Sequence, residues 1–372
     1  MKRIVCVVVL LLAVGFFPLR VSALEGDLFE NEARQIEDSI PDDVKGRMDG
    51  LGASSAEEII SNGVDGEKLA QLGLDLLGRE LSGPLAALPV LLAAVMLCSV
   101  VEGYTVSLRY TETRDIMAVA VSLFIASVTV SPVAELLHAA GEVIQGASAV
   151  MLLYLPVMAG MLAFSGHAVS ASGWYAAVTA AAQGLSWLSA TVLLPILRLF
   201  LTISVSAGVC GRVRLGGLTE ALSKAFKWAL TLATSIFVAV IGLNGTLFSA
   251  TDRVADKAAR FALGSLIPLI GSSISEAYGA IQGSVGVLRS GIGVFVILAL
   301  VVSFLPLLIR NLLWAAAVYA VGLTADALGV SAAGSVLRAI SAFLSALRAL
   351  LIAVMTAFII SSSVMMRIGG AS

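Results

Sequence analysis

Apolar residues fill this chain in long blocks, and the polar positions between them are few and clustered. Nine blocks are near the ~20 residues that a helix needs to cross a bilayer. They are Pro84–Val101, Ile116–Ala134, Ala147–Phe164, Trp174–Thr191, Val192–Val209, Trp228–Ala250, Gly291–Ile309, Asn311–Val330 and Ser345–Val364. The run from Trp174 to Val209 is 36 residues long, too long for one crossing without a break, and Pro195 supplies a break. The region from Lys257 to Arg289 is more polar and rich in glycine. It reads as a membrane-surface helix, a re-entrant hairpin or two short spans. The pattern predicts an all-α, polytopic integral membrane helix bundle of about nine spans, with seven to ten allowed.

Within residues 261–293 the small and turn-forming residues are ordered. Gly264, Pro268, Gly271, Ser275, Gly279, Gly283 and Gly286 follow one another in steps of 4, 3, 4, 4, 4 and 3. The mean step is about 3.7, close to the α-helical period, so a helix would carry them on one narrow strip. Glycine inside a helix costs about 1 kcal/mol against alanine. A row of them is explained by close backbone approach of another helix, and Gly279 with Gly283 forms a GxxxG pair. Pro268 would kink or interrupt the helix. These seven residues are the expected helix-packing and assembly positions.

Charge changes the picture at the N-terminal end. Of 25 acidic residues, 15 lie between Glu25 and Glu80, against five basic ones. The chain is 59% hydrophobic and 13% charged overall, with mean hydropathy +0.99. A soluble domain has about 25% charged residues. Residues 24–83 therefore read as a small acidic helical head, and residues 84–372 as the membrane domain. Leu69, Leu72, Leu76 and Leu77 give the head a short amphipathic helix, which either packs on its neighbours or lies on a membrane or partner. Lys2 and Arg3, the apolar stretch Ile4–Phe17 and Val21-Ser22-Ala23 read as a signal peptide over residues 1–23, cleaved after Ala23. Arg109 and Arg114, and then Arg212, Arg214, Lys224 and Lys227, mark cytoplasmic loops. The loop around His138, with Glu135 and Glu142, lacks Lys and Arg and is placed outside, with the head. No basic tract points to nucleic acid.

Catalytic and nucleotide signatures are missing. GxxxxGK[ST], GxSxG, HExxH and CxxC do not occur. His138 beside Glu135 and Glu142 is weak support for a metal, and a solvated histidine explains it. No enzyme, cofactor or metal is expected. Two charges fall inside predicted spans, Arg198 and Asp326, and intramembrane charges are candidates for transport or assembly roles.

Several of these features occur together in a known family. The exported acidic head, the following spans, Thr251-Asp252, Phe261, Ile267-Pro268 with Gly271, Ser275-Glu276-Ala277, and Gly283-Ser284 leading to Gly293 resemble the stage III sporulation protein AE family. The resemblance covers essentially the whole chain. Glu276 stands where that family usually has Asp, and Arg289-Ser290 where Lys-Asn is common. What the resemblance implies is a membrane subunit of a channel, or feeding tube, between mother cell and forespore. It also implies a place in the mother-cell membrane around the forespore, with the head in the intermembrane space. The implied partners are the other membrane proteins of that complex, including an ATPase and ring-forming subunits, together with the lipid bilayer. A stand-alone secondary transporter of a small solute is the alternative reading of the same residues, although only one broken glycine-rich region is found and no second repeat.

Overall fold

The computed structural model describes residues 30–63, 66–108, 111–165, 168–209, 216–266 and 271–367, with side chains chiefly outside 104–115 and 243–284. The predicted signal peptide and Pro268 lie outside the described residues. The described chain is helical throughout.

Three short helices open it: α1 (Glu30–Ser39), α2 (Asp42–Leu51) and α3 (Ala56–Asn62). Their ends follow local chemistry. Pro41 precedes α2, with Asp42 and Asp43 in its first turn near the positive end of the helix dipole. Gly52, at φ 69°, closes α2 in the left-handed region that glycine enters without a Cβ penalty. The Ser55 hydroxyl caps α3 by accepting from the Glu58 N–H at 3.2 Å, and the Glu58 carboxylate reaches back to the Ser54 N–H at 2.9 Å.

Long rods follow. α4 (Gly66–Glu80) passes through Leu81 into α5 (Ser82–Leu108) without losing the helical hydrogen-bond pattern, since Leu81 N–H donates to Leu77 and Leu85 N–H to Leu81. α6 (Thr111–Phe164) has 54 residues, or about 80 Å at 1.5 Å per residue. α7 (Ala168–Leu188) joins α8 (Leu194–Val209) through a π turn, Ser189–Leu193. α9 (Gly216–Leu266), α10 (Gly271–Ala327) and α11 (Ser331–Arg367) complete the bundle.

Six stretches among the described residues are long and apolar enough to cross a membrane: Gly66–Val100, Val119–Phe164, Ala171–Gly208, Gly217–Gly242, Val285–Ala327 and Ala333–Met366. The sequence pattern predicts about nine. The difference has one cause, which is that three predicted pairs run together. Ile116–Ala134 and Ala147–Phe164 both lie in α6, so the region around His138 is helix and not loop. Gly291–Ile309 and Asn311–Val330 run together through α10 and into the turn that follows it. Trp174–Thr191 and Val192–Val209 meet at the π turn. Pro195 cannot donate to the Thr191 carbonyl, and the wider turn ahead of it takes up the misfit without ending the rod. Pro89, Pro132, Pro156 and Pro306 also sit inside helices, as membrane helices tolerate.

The acidic N-terminal helices are not set apart from this bundle. Ile36, Ile40, Val44, Met48, Leu51, Ala53, Ala56 and Ile59 are buried in the same continuous core as the long rods. α1 packs on α6, while α2 and α3 pack on α10. Gly291 of α10 lies under α3 so closely that a Cβ there would overlap Ile60. Leu76 of α4 is buried and Leu69 and Leu72 pack on the core, while Leu77 is exposed, so the amphipathic helix spends most of its predicted apolar face on neighbours. Most of the described acids, such as Asp42, Asp43, Asp49, Glu57, Glu67 and Asp75, are exposed.

Candidate functional site

Polar groups in an apolar bundle are few, and the structure gathers them at three places. The first is a charged waist. Arg310, in the last third of α10, donates from Nη2 to the Glu135 carboxylate of α6 at 3.1 Å, and its Nε lies 3.7 Å from the carboxylate of Glu80 at the end of α4. One guanidinium thus ties three rods together. Asn311 beside it is fully buried, and neither its amide nitrogen nor its oxygen has a hydrogen-bond partner. Further along α6, His138 and Glu142 pair across one turn at 3.5 Å. Sequence reading placed Glu135 and His138 in a loop and gave Arg310 no role. The signal was the spacing of Glu135, His138 and Glu142, steps of 3 and 4, which puts them on one helical face.

The second place is the α10–α11 turn, where Asp326 pairs with Arg338. Gly334 leaves the room for this pair, since a Cβ there would lie 2.7 Å from Asp326 Oδ1. Asp326 is therefore a paired clamp across the Gly329 turn. Arg198, the other predicted intramembrane charge, is exposed on α8 and is not brought near Asp326 by any described contact.

The third place is the junction of α6, α10 and α11. The α6 and α10 positions run antiparallel: Glu135 meets Arg310, and Tyr154 neighbours Arg289. Tyr154 is fully buried and donates to the Ser362 carbonyl of α11 at 3.2 Å. Arg289 is itself buried. A cleft of about 250 Å³ lies between this level and the waist, lined by Ile40, Pro41 and Val44 of the N-terminal helices and by Val143, Val150 and Leu300 of the rods.

The predicted small-residue strip is only partly visible. Gly264 lies in α9, and Gly271, Ser275, Gly279 and Gly283 in α10, with surroundings outside the described residues. Gly286 is described, and a Cβ there would meet nothing within 4 Å. Close helix approach is found elsewhere. A Cβ on Gly208 of α8 would lie 2.8 Å from Val336 Cγ2 and 3.1 Å from Val336 Cα on α11. A Cβ on Gly293 would lie 2.9 Å from Met366 Sδ. Among the described residues no cluster of His, Cys, Asp and Glu is arranged to hold a metal.

One ionisable group carries a pH expectation. Glu37 of α1 accepts the Ala56 N–H at 3.1 Å, pinning α1 to the start of α3. Burial raises its carboxyl above the ordinary 4.5, the Ala56 hydrogen bond opposes this, and Glu57 and Asp38 add to the rise. A carboxyl with a higher pKa folded than unfolded binds a proton on docking. Its contribution is present below the ordinary value and is lost as pH rises through the raised one. Glu37→Gln keeps an acceptor for Ala56 and removes the titration. We expect α1 in this variant to lose its pH dependence over the range that starts at the ordinary 4.5 and runs upward, with docking at neutral pH unchanged or firmer. Hydrogen exchange of α1 across that range measures it; an unchanged pH profile would rule Glu37 out as its source.

Long apolar rods, a shared buried core and charges confined to pairs and a waist define a polytopic helical membrane protein. The chain belongs to the Stage III sporulation protein AE family, which matches residues 56–369. It is also similar to the Stage III sporulation protein AE of Bacillus subtilis (strain 168), 24% identical over 155 residues. That match covers 42% of this chain and 39% of the relative's length. No solved structure matches it.

Proposed function

We propose that this chain is a membrane subunit of a sporulation channel or feeding-tube complex joining mother cell and forespore, rather than a transporter acting alone. The observation that carries the reading is the family match over residues 56–369, which gives a role in sporulation and interaction with other sporulation proteins. Its site in the mother-cell membrane around the forespore, its head in the intermembrane space, and an ATPase and ring-forming subunits as partners belong to the same proposal.

The architecture supports it in two ways. The described polar groups form fixed ties between rods, such as Arg310 with Glu135 and Glu80, and not a midplane constellation around a solute. The small-residue strip has room beside it at Gly286, as a surface for a partner helix would. Among the described side chains of α10 the large exposed apolar ones, Leu312, Tyr319 and Leu323, all follow Arg310, whereas residues 285–309 are buried or half-buried. This supports placing the bilayer beyond the waist and the acidic helices outside it.

Affinity purification from sporulating cells is the test, together with uptake by vesicles holding only this chain. We expect co-purification with other membrane proteins of the complex and no solute uptake. Gly279→Leu and Gly283→Leu should lower co-purification and spore yield with a modest loss of protein, because each adds bulk on the strip. Gradient-driven uptake by the isolated chain would instead establish the transporter.

A further inference from the structure

α6 is one rod with large exposed apolar side chains toward both ends: Ile116, Val119, Leu123 and Phe124, and then Leu152 and Leu153. Ile116 and Leu153 stand about 55 Å apart at 1.5 Å per residue. A bilayer core is about 30 Å thick, and a helix tilted by 40° passes through about 39 Å of it. Between the two groups lie Glu135, His138 and Glu142, each more than half exposed. One bilayer therefore takes one group and leaves the other outside. Packing decides which. Gly291 of α10 lies under Ile60 of α3, two residues from Arg289, the neighbour of Tyr154. Acidic α3, with Glu57 exposed, thus stands level with Leu152 and Leu153. The α1–α2 junction, with Asp43 exposed, meets α6 from Glu142 to Val150. Water-facing helices flank this half of α6, so Leu152 and Leu153 are the pair that lipid does not cover.

Trp187 of α7 joins them. The Ser148 hydroxyl donates to Gln183 at 2.7 Å, which fixes how α6 and α7 face each other. Counted at about 100° per residue from that contact, Leu152, Leu153 and Trp187 turn to the same flank of the antiparallel pair, and all three are exposed. From Val143 to Leu197 the chain has no Asp, Glu, Lys or Arg. We propose that this flank, standing outside the bilayer, is where a second copy of this chain docks. A charge-free flank meets its own copy without burying a charge, as interface cores require, and Trp187 supplies an aromatic anchor. The acidic side of the molecule would instead repel its copy. With both copies in one bilayer the two-fold axis runs along the membrane normal, so each residue faces its own level on the other chain. The inference rests on the bilayer lying beyond the waist and not on the channel reading.

The test is spin labelling of the full chain in liposomes that hold no other protein, with Cys6, Cys98 and Cys210 replaced by alanine and one new cysteine at a time. Labels at Leu152→Cys and Trp187→Cys should be shielded from both oxygen and a water-soluble nickel relaxant. Each should show dipolar coupling that falls as unlabelled chain is added. A label at Leu97→Cys, exposed on α5 beyond the waist, should be relaxed by oxygen and uncoupled. Leu152→Glu with Leu153→Glu should abolish the coupling at position 187 and leave the Leu97→Cys label in lipid. Oxygen relaxing position 152 as strongly as position 97 overturns the contact and the bilayer placement together. Nickel relaxing position 152 overturns the contact alone. Shielded labels without coupling overturn the second copy as occupant, and coupling that survives the double glutamate variant overturns the flank. Should a label itself part the copies, copper-catalysed disulfide formation at Leu152→Cys reads the same contact, and its absence sinks it.

Discussion

Gly208→Leu is expected to separate α8 from α11 and to lower the thermal stability of the purified chain more than other glycine substitutions in the α7–α8 rod. The reason is what a side chain would strike. A Cβ at Gly208 would come within 3.1 Å of Val336 Cα and 3.2 Å of Val336 N, which are backbone atoms that cannot rotate away. The crossing is also bonded there, since the Ser335 hydroxyl donates to the Gly208 carbonyl at 3.3 Å. Overpacking a fitted site costs about 1–3 kcal/mol and more when backbone must move. Gly184 of α7 is the control, because it is exposed and a Cβ there meets nothing within 4 Å. Gly184→Leu should melt within a degree or two of wild type. Equal losses at both positions would mean that helix propensity, and not the α8–α11 approach, sets the cost.

That crossing shows how unevenly the sequence discloses the molecule. Helical class, membrane character and the apolar segments follow from block length and composition, because lipid forces backbone polar groups to pair within a segment. The family is legible from the Ile267-Pro268 to Gly293 region. Where the rods end was not legible. A short polar interruption looks the same whether it marks a loop or one wet face of a continuing helix. Glu135, His138 and Glu142 are the second case. Proline misleads in the same way, for Pro195 redirects hydrogen bonding into a π turn and the rod runs on.

The functional residues divide along a similar line. Glycine spacing picks out the 264–286 strip, but the tight contacts described are at Gly208, Gly291 and Gly293, where a single glycine faces a distant segment. No local period records such a pair. Arg198 and Asp326 stood out because they interrupt apolar runs. Arg310, which ties three rods together, sits at a block edge, where a charge ordinarily means a membrane boundary. Burial and partner, which distinguish a boundary charge from a tie, come only from the packing of three separate helices.

Arg310→Glu should be the most damaging single charge change, since it would set three carboxylates together at the waist. Arg310 is 35% exposed, Glu80 31% and Glu135 61%, so solvent screens the pairs only in part. Unit charges 4 Å apart interact by about 4 kcal/mol at an effective dielectric near 20. Partial exposure reduces this to about 0.5–1 kcal/mol for each pair. The variant loses both attractions and gains both repulsions. We therefore expect several-fold less folded protein in the membrane and early cleavage between α4 and α6 in limited proteolysis. The exchange Arg310→Glu with Glu135→Arg restores one cross-rod pair and should recover a substantial part of the yield, while Glu135→Arg alone should be defective. A double variant no better than Arg310→Glu alone would show that the waist holds by packing, with its charges incidental.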